Sequence, residues 1–232
     1  MMLIKPTSTD YKDHHDRWYP YVNHGGSIIA IAGDNFSVLG TDMRLSEDAS
    51  GEIMSRHQSK AYKLTPTTML GLCGFHGDVN YLLGQLEYSI KIYTRENYTT
   101  ISTPALASML ACTLYNRRFF PLYVYNLLVG LDDEGKGCMF SFDPVGSYER
   151  ESYKAGGSAA AMLQPILDNQ IGNKNQNNII VKIPLTPERA VSVVRDSFIS
   201  AAERDVLTGD GITIHIITKD GITTKTEILR GD

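Results

Sequence analysis

Adjacent histidines and aspartates near the N-terminus are one group of side chains in this sequence that could do chemistry. His14 and His15 lie between Asp13 and Asp16, and imidazole and carboxylate groups are common metal ligands. Neighbouring side chains in a polar arm have no framework that would fix the ligand geometry. We therefore interpret this segment as a solvated N-terminal arm, and we expect no bound metal and no cofactor.

Three cysteines form a second group with reactive side chains. Cys73, Cys112 and Cys138 are odd in number, lie among apolar residues and lack the close pairing that is typical of zinc sites and redox motifs. They are predicted to be reduced thiols in the core. The sequence also contains no P-loop, no GxGxxG dinucleotide motif, no HExxH and no GxSxG nucleophile motif.

The composition is that of an ordinary globular protein with a slight excess of acid. The 232 residues are 42% hydrophobic and 21% charged, and 22 basic against 26 acidic side chains give a net charge of -4. One domain with its own core is expected. No basic excess would attract phosphates, so no nucleic-acid partner is expected. No apolar run approaches the roughly 18 residues of a membrane span, and no signal peptide is evident, so we expect a soluble intracellular protein without a membrane partner.

Hydrophobic periodicity and turn residues divide the chain into strands and helices in the order ββββ αα βββ αα ββ. Short β-rich runs bounded by turn residues predict strands, and apolar residues at helical spacing predict helices. Thr103 and Thr186, each followed by proline, are predicted N-caps. The first sheet is predicted to end at Gly74. The predicted strands are 27–32, 36–41, 61–64, 68–73, 122–131, 137–142, 148–153, 212–218 and 222–229, and the predicted helices are 77–94, 103–118, 158–171 and 187–204.

Two runs of strands, each followed by two helices, suit a four-layer sandwich. Two antiparallel sheets would pack face to face with helices on both outer faces, which is an α+β fold of αββα type. An N-terminal arm at residues 1–24 would precede a single domain at residues 25–232.

Five strings of this sequence resemble the β subunits of the 20S proteasome. They are GGSIIAIAGDNFSVLGTDMRLSE, LCGFHGD, YNRRFFPLYVYN, SFDPVGSYERESYKAGGSAAAMLQPILDN and FISAAERDVLTGD, in the same order as in that family. The resemblance extends from Tyr19 to the C-terminus, and it is strongest to a non-catalytic member in the sixth position of the β ring. It implies the αββα sandwich of N-terminal nucleophile (Ntn) hydrolases, in agreement with the element order.

The resemblance implies a definite catalytic set in the active members. An N-terminal threonine, exposed by self-cleavage, supplies a hydroxyl as nucleophile and its α-amine as base, since an α-amine titrates near about 8. A lysine favours the alkoxide-like form, and an aspartate orients that lysine. Here the aspartate falls on Asp42, and the lysine falls on Lys60 if a short insertion lies between residues 48 and 58.

Two further supporting positions carry over from the resemblance. A later aspartate and serine fall on Asp205 and Thr208, which is a conservative departure. The serine of a glycine-rich turn falls on Gly157, with Ser158 one position later. Most of the supporting residues are therefore present.

The nucleophile is missing. In active members the threonine lies sixteen positions before the aspartate, and 42 minus 16 is 26, which here is Gly26. Ser27 is the alternative nucleophile. A shift of one residue along a strand turns a side chain to the opposite face, however, so Ser27 is expected to contribute only to packing. Asp42, Lys60 and Asp205 are then interpreted as buried structural charges.

The resemblance also implies that each active cleft is walled in part by the next subunit, through the segment 140–144. Asp143 precedes a proline, which favours an extended backbone and could direct its carboxylate toward the neighbouring cleft, with Ser141 beside it. The alternative is an Asx turn, in which Asp143 caps the backbone of the corner that follows.

The resulting hypothesis is a non-catalytic structural subunit of the 20S core particle, needed for β-ring assembly. The implied partners are two β-ring neighbours, the opposite β ring and α-ring subunits in a 28-subunit particle of the cytoplasm and nucleus. Two alternatives remain open. One is a self-processed peptidase that uses Ser27, and the other is an independent bacterial-type Ntn hydrolase, against which Gly26 argues.

Overall fold

Strands and helices alternate in blocks along the chain. The computed structural model describes residues 21–48, 50–174 and 184–230. The strands are β1 Ser27–Ala32, β2 Ser37–Asp42, β3 Leu45–Ser46, β4 Ile53–Ser55, β5 Ala61–Thr65, β6 Thr68–Gly74, β7 Val124–Leu131, β8 Gly137–Phe142, β9 Tyr148–Glu151, β10 Tyr153–Gly157, β11 Gly211–Thr218 and β12 Gly221–Ile228. The helices are α1 His76–Asn97, α2 Thr103–Tyr115, α3 Ala160–Gln170 and α4 Pro187–Ala202.

Two antiparallel sheets of five strands form the middle of the molecule. The first has the order β10-β1-β2-β11-β12 and the second the order β5-β6-β7-β8-β9, while β3 and β4 form a separate ribbon. Helices α3 and α4 cover the first sheet, where Phe198 and Leu163 belong to the same buried cluster as Ile29. Helices α1 and α2 cover the second sheet, where Leu86 packs in the same cluster as Leu128. The predicted four-layer αββα sandwich is confirmed.

The space between the sheets is a third apolar layer. Ile28 and Leu39 of the first sheet belong to the same buried cluster as Leu127, Val129 and Met139 of the second. Successive residues of a strand face opposite sides, so a central strand that is covered on both faces must be apolar throughout. This is why the run SIIAIA of β1 is buried along nearly its whole length.

The prediction that the first sheet ends at Gly74 is wrong. Strands β1 and β2 belong to the first sheet, whereas β5 and β6 belong to the second. The run predicted at 148–153 is also two strands, and these belong to different sheets: β9 pairs with β8, and β10 pairs with β1. Two pairings of the first sheet, β10 with β1 and β2 with β11, join strands that are far apart in sequence, so the linear order of the strands does not reveal them. Strands β3 and β4 were not predicted.

The two predicted helix N-caps have different outcomes. The side chain of Thr186 accepts a hydrogen bond from the Arg189 amide, so that N-cap is confirmed. Helix α2 is instead capped by Ser102, whose side chain accepts from the Ala105 amide. Thr103 is buried, and its hydroxyl donates to the Leu131 carbonyl at 2.7 Å. The hydroxyl of Thr103 therefore connects the helix to β7, and the predicted N-cap was one residue late.

The prediction of three core thiols is wrong for one of them. Cys73 and Cys138 are buried in the two apolar layers around the second sheet, but Cys112 is exposed on α2. The outward side of an amphipathic helix explains this, because Ala111 and Leu114 face the core. No helix in the described ranges is long and apolar enough to cross a membrane. Residues 1–20 of the expected arm lie outside the described residues, so the boundary at residue 24 stays a prediction.

Candidate functional site

The residues carried over from the resemblance meet at one end of the first sheet. Gly26 directly precedes β1, Asp42 ends β2, and Lys60 directly precedes β5. Asp205 and Thr208 lie in the loop between α4 and β11. Strand β2 pairs with both β1 and β11, so the ends of these strands bring the loop next to Asp42.

Asp42 and Lys60 form a buried ion pair. Lys60 Nζ donates to Asp42 Oδ1 at 2.8 Å, and the two side chains are 4% and 0% exposed for lysine and aspartate respectively. The amides of Ser27 and Arg44 also donate to the carboxylate, at 2.8 and 3.1 Å. Burial raises the pKa of Asp42, and the lysine ammonium and the two amides oppose that rise. Lys60 further donates to the Arg44 carbonyl, so both charges are well hydrogen-bonded.

The side-chain space of residue 26 is occupied by the lysine. Gly26 has φ of 88°, in the left-handed region that favours glycine. A Cβ atom on this residue would lie 2.3 Å from Lys60 Cε and 2.8 Å from Lys60 Nζ, both closer than real Cβ contacts. A hydroxyl-bearing side chain at residue 26 therefore needs a different backbone conformation and a displaced lysine.

The hydroxyl of Ser27 points to a different group of residues. Its Oγ accepts from the Ala159 amide at 3.0 Å and lies 2.8 Å from Thr208 Oγ1. Thr208 donates to Asp205 Oδ2 at 2.6 Å, so the proton of the Ser27 hydroxyl is directed to Thr208. Within the part of the chain that the structure describes, no hydrogen bond joins this hydroxyl to Lys60. The expectation that Ser27 contributes only packing is wrong, because its hydroxyl is buried and both donates and accepts.

The turn after β10 supplies a hydroxyl from Ser158. Gly157 has φ of 93°, and a Cβ atom there would lie 2.1 Å from the Gly26 carbonyl oxygen. Ser158 Oγ donates to Asp205 Oδ2 at 2.7 Å, and its amide donates to the Gly26 carbonyl at 3.0 Å. The position carried over as Gly157 thus lies at the site, but the hydroxyl that this turn directs to Asp205 belongs to the next residue, Ser158.

Cys73 is a nucleophilic residue type that sequence reasoning did not place at the site. Its Sγ would lie 2.9 Å from a Cβ atom on Gly157. Burial raises the pKa of Cys73 to about 12, although the nearby Lys60 ammonium opposes this shift. Since the thiolate is the reactive form, this thiol is inert near neutral pH.

Metal ligands do not cluster in the described residues. Across 21–48, 50–174 and 184–230, no group of three or more His, Cys, Asp or Glu side chains could hold a metal ion. The set formed by His14, His15, Asp13 and Asp16 lies outside these ranges, so its interpretation stays a prediction.

Asp143 closes an Asx turn at the end of β8. Its Oδ1 accepts from the amides of Val145 and Ser147, at 2.9 and 2.8 Å. The turn that sequence reasoning considered as the alternative is therefore confirmed. Asp143 is also exposed, beside a groove of about 300 Å³ that Ser141 lines as well. Ser141 donates to Glu151, so its hydroxyl is already engaged within the second sheet.

The site as a whole contains a buried ion pair and a network of hydroxyl hydrogen bonds, and it offers no activated nucleophile among the described residues. The buried charges neutralise each other, the Ser27 proton is directed along hydroxyls to Asp205, and the Cys73 thiol is protonated. Such a network fixes the ends of strands β1 and β2 and the loop before β11 relative to one another.

Comparisons with known proteins find relatives over nearly the whole chain. A family model described as "Proteasome subunit" matches residues 22–217. "Proteasome subunit beta type-1-B" of Carassius auratus is 52% identical over 95% of this chain and 94% of that protein. "Proteasome subunit beta type-1" of Danio rerio is 53% identical over 93% and 90%, and "Proteasome subunit beta type-6" of Saccharomyces cerevisiae is 43% identical over 88% and 87%. The span of the family model includes every site residue from Gly26 to Thr208.

Proposed function

Because the chain belongs to the proteasome subunit family, we propose that it is a non-catalytic β subunit of the 20S core particle. The observation that carries this proposal is the glycine at position 26, whose side-chain space holds the Lys60 ammonium. An N-terminal nucleophile peptidase needs a hydroxyl or thiol at that place beside a base. A chain without one serves the particle through its fold and its contacts.

The residues retained around Gly26 have a structural role in this proposal. Removing either partner of the buried Asp42–Lys60 pair would leave an uncompensated charge, which costs about 3 to 5 kcal/mol. The hydroxyl network around Asp205 adds hydrogen bonds between the β1 end and the loop after α4. These costs explain why a chain that lacks the nucleophile keeps most of its surroundings.

The chain takes one fixed place in each β ring of the particle. Its partners are two neighbouring β subunits, the opposite β ring and α-ring subunits, in a particle of 28 subunits. The relatives that carry the name proteasome subunit beta type-1 support this assignment. The particle would work in the cytoplasm and nucleus, a location that fluorescence microscopy of the tagged chain can test.

A second part of the proposal is a contribution to the active cleft of the adjacent subunit. The exposed carboxylate of Asp143 and the groove that Ser141 also lines support this role. The Asx turn holds Oδ1 in place with two amide donors, which orients the carboxylate at little further entropic cost. A basic group of a substrate bound in the cleft of the adjacent subunit would lie opposite the Asp143 carboxylate.

The subunit composition of the assembled particle tests the proposal. The full chain carries a C-terminal affinity tag, is expressed in cells that make proteasomes, and is purified under native conditions. Native mass spectrometry is expected to show the tagged chain together with other β subunits and α subunits. Rings made of this chain alone would contradict the proposal and favour an independent Ntn hydrolase.

A further inference from the structure

Residues 21–25, the N-terminal segment, lie in a groove between β3 with the loop that follows it and the end of β6. The amide of His24 donates to the Gly74 carbonyl at 3.2 Å, and the His24 carbonyl accepts from the Ser46 amide at 3.2 Å. The segment therefore has backbone partners on both sides, as a strand added to a groove would have.

Contacts of the neighbouring residues extend this binding. The Asn23 carbonyl accepts from the Asp48 amide at 3.0 Å, and Asn23 Oδ1 accepts from the Gly25 amide at 3.1 Å. The ring of Tyr21 packs against Phe75 and Phe120, with centroid distances of 5.5 and 5.9 Å. The segment is thus bound along its length.

The imidazole of His24 caps helix α1. The N-cap residue of this helix, Phe75, makes no side-chain hydrogen bond to it. Instead, the His76 amide at the first helical position donates to His24 Nδ1 at 3.2 Å. The His24 ring also stacks on Phe75, at 5.6 Å between centroids and 22° between planes. This hydrogen bond requires a neutral imidazole with an unprotonated Nδ1.

We propose that His24 is a proton-operated latch that holds the N-terminal segment in its groove when neutral and releases it when protonated. Protonation places an N–H at Nδ1 opposite the His76 amide, so that two donors face each other. It also adds positive charge at the positive end of the helix macrodipole. Both changes act on the side chain whose hydrogen bond joins the segment to the first turn of α1.

The charged groups around His24 set the pH at which the latch works. Burial lowers the pKa of His24, the His76 imidazole lowers it further, and the Glu47 carboxylate on the loop after β3 opposes both. Burial and the Lys60 ammonium also lower the pKa of His76, so this neighbour is neutral at physiological pH. Asp48, on the same loop as Glu47, contacts the side chain of Asn23 at 3.5 Å.

The sign of the pH dependence follows from the lowered pKa. The released segment binds a proton more readily than the bound one, so binding is strongest above the ordinary imidazole pKa of about 6.5. It weakens as the pH falls below that value. Acidification therefore releases residues 21–25, whose last residue, Gly25, lines the same small cavity as Lys60 and Cys73.

Hydrogen–deuterium exchange of the full chain at pH 7.5 and pH 5.5 tests the latch. After correction for intrinsic exchange rates, the amides of His24, Ser46, Asp48 and His76 are expected to lose protection about fivefold at the lower pH, the size of a typical N-cap effect. Amides in the centre of β7 should not change. Equal protection of the four amides at both pH values would overturn the proposal.

Two variants locate the titrating group. His24→Asn keeps an acceptor near the position of Nδ1 but does not titrate, so the pH effect should disappear. His76→Asn removes the second imidazole but keeps the backbone amide, so the pH effect should persist. A pH effect that survives in His24→Asn, or that is lost in His76→Asn, would place the switch elsewhere. The comparison of the unmodified chain at two pH values does not depend on either variant folding well.

Discussion

Gly26 and Lys60 share one space. A Cβ atom on Gly26 would lie 2.8 Å from the ammonium nitrogen of Lys60, and that nitrogen is held 2.8 Å from the buried Asp42 carboxylate. The lysine cannot move aside without weakening the ion pair. The glycine therefore permits the compact arrangement of this pair, and the absence of a side chain at position 26 and the two buried charges are parts of one packing solution.

The first prediction concerns the glycine. Gly26→Ala should lower the free energy of unfolding by about 3 kcal/mol more than Gly51→Ala, because it displaces the lysine from a buried carboxylate. Gly51 is the matched control, since its φ of 70° strains alanine similarly but nothing lies within 4 Å of its Cβ position. Urea unfolding of both variants measures the difference, and equal losses would show that Lys60 moves without cost.

The second prediction concerns the ion pair and pH. Lys60→Met should cost about 3 to 5 kcal/mol of unfolding free energy at pH 7.5, because it strands the buried Asp42 charge. Burial already raises the pKa of Asp42, and without the lysine the folded pKa rises further. A raised folded pKa means that stability is retained below the unfolded pKa of about 3.9 and lost as the pH rises through the folded value. The deficit should therefore shrink at pH 5.

A double variant supplies the control for this pH effect. Asp42→Asn combined with Lys60→Met contains neither charge, so its stability deficit relative to the unmodified chain should not shrink at pH 5. Urea titrations at both pH values give the numbers. A deficit of Lys60→Met that stays constant with pH would contradict the assignment of the stranded charge to Asp42.

The third prediction separates stability from activity at Ser27. Ser27→Ala removes the acceptor of the Ala159 amide and the donor to Thr208, which should cost about 1 to 3 kcal/mol of stability. The peptidase activities of particles that contain the variant should stay unchanged per assembled particle. Ser200→Ala, at an exposed serine of α4, is the control for a simple loss of hydroxyl. Loss of one peptidase activity in Ser27→Ala would support the alternative hypothesis of a self-processed peptidase that uses Ser27.

The fourth prediction concerns the neighbouring cleft. Asp143→Asn keeps an Oδ1 acceptor for the turn but removes the charge, so substrates with a basic group opposite it should lose about 1 kcal/mol of transition-state binding. Steady-state kinetics of assembled particles on paired basic and neutral peptides measures this as a lower ratio of kcat/KM values. An unchanged ratio would leave Asp143 as a turn residue. Asp143→Ala, which also removes the acceptor, reports the effect of losing the turn.

Local patterns predicted most elements of the fold. The apolar run of β1 and the periodicity of α1 and α4 gave the right element types, because burial on one or two faces imposes those periods. Long-range pairing was harder to predict. The run at 148–153 divides between two sheets because β10 pairs with β1, more than a hundred residues earlier in the chain.

The site was predicted in outline, and its details were not. Matching positions identified Asp42, Lys60 and Asp205. Asp42 and Lys60 form an ion pair, and hydrogen bonds through Ser27 and Thr208 connect Asp42 to Asp205. Spacing alone could not show that Ser158 supplies the hydroxyl, since that depends on the left-handed backbone at Gly157. Nor could it show that Ser27 binds Thr208, because the loop before β11 approaches β1 only through β2.

Labelling of the assembled particle tests the central claim, the absence of a nucleophile in this chain, most directly. Native particles are treated with an electrophile that traps N-terminal threonine or serine nucleophiles, and the intact mass of each subunit is measured. We predict that catalytic subunits gain the mass of the reagent and that this chain does not. Gly26 has no hydroxyl, and the hydroxyl of Ser27 is hydrogen-bonded to Thr208. A chain that begins at Ser27 and carries the reagent would contradict the account.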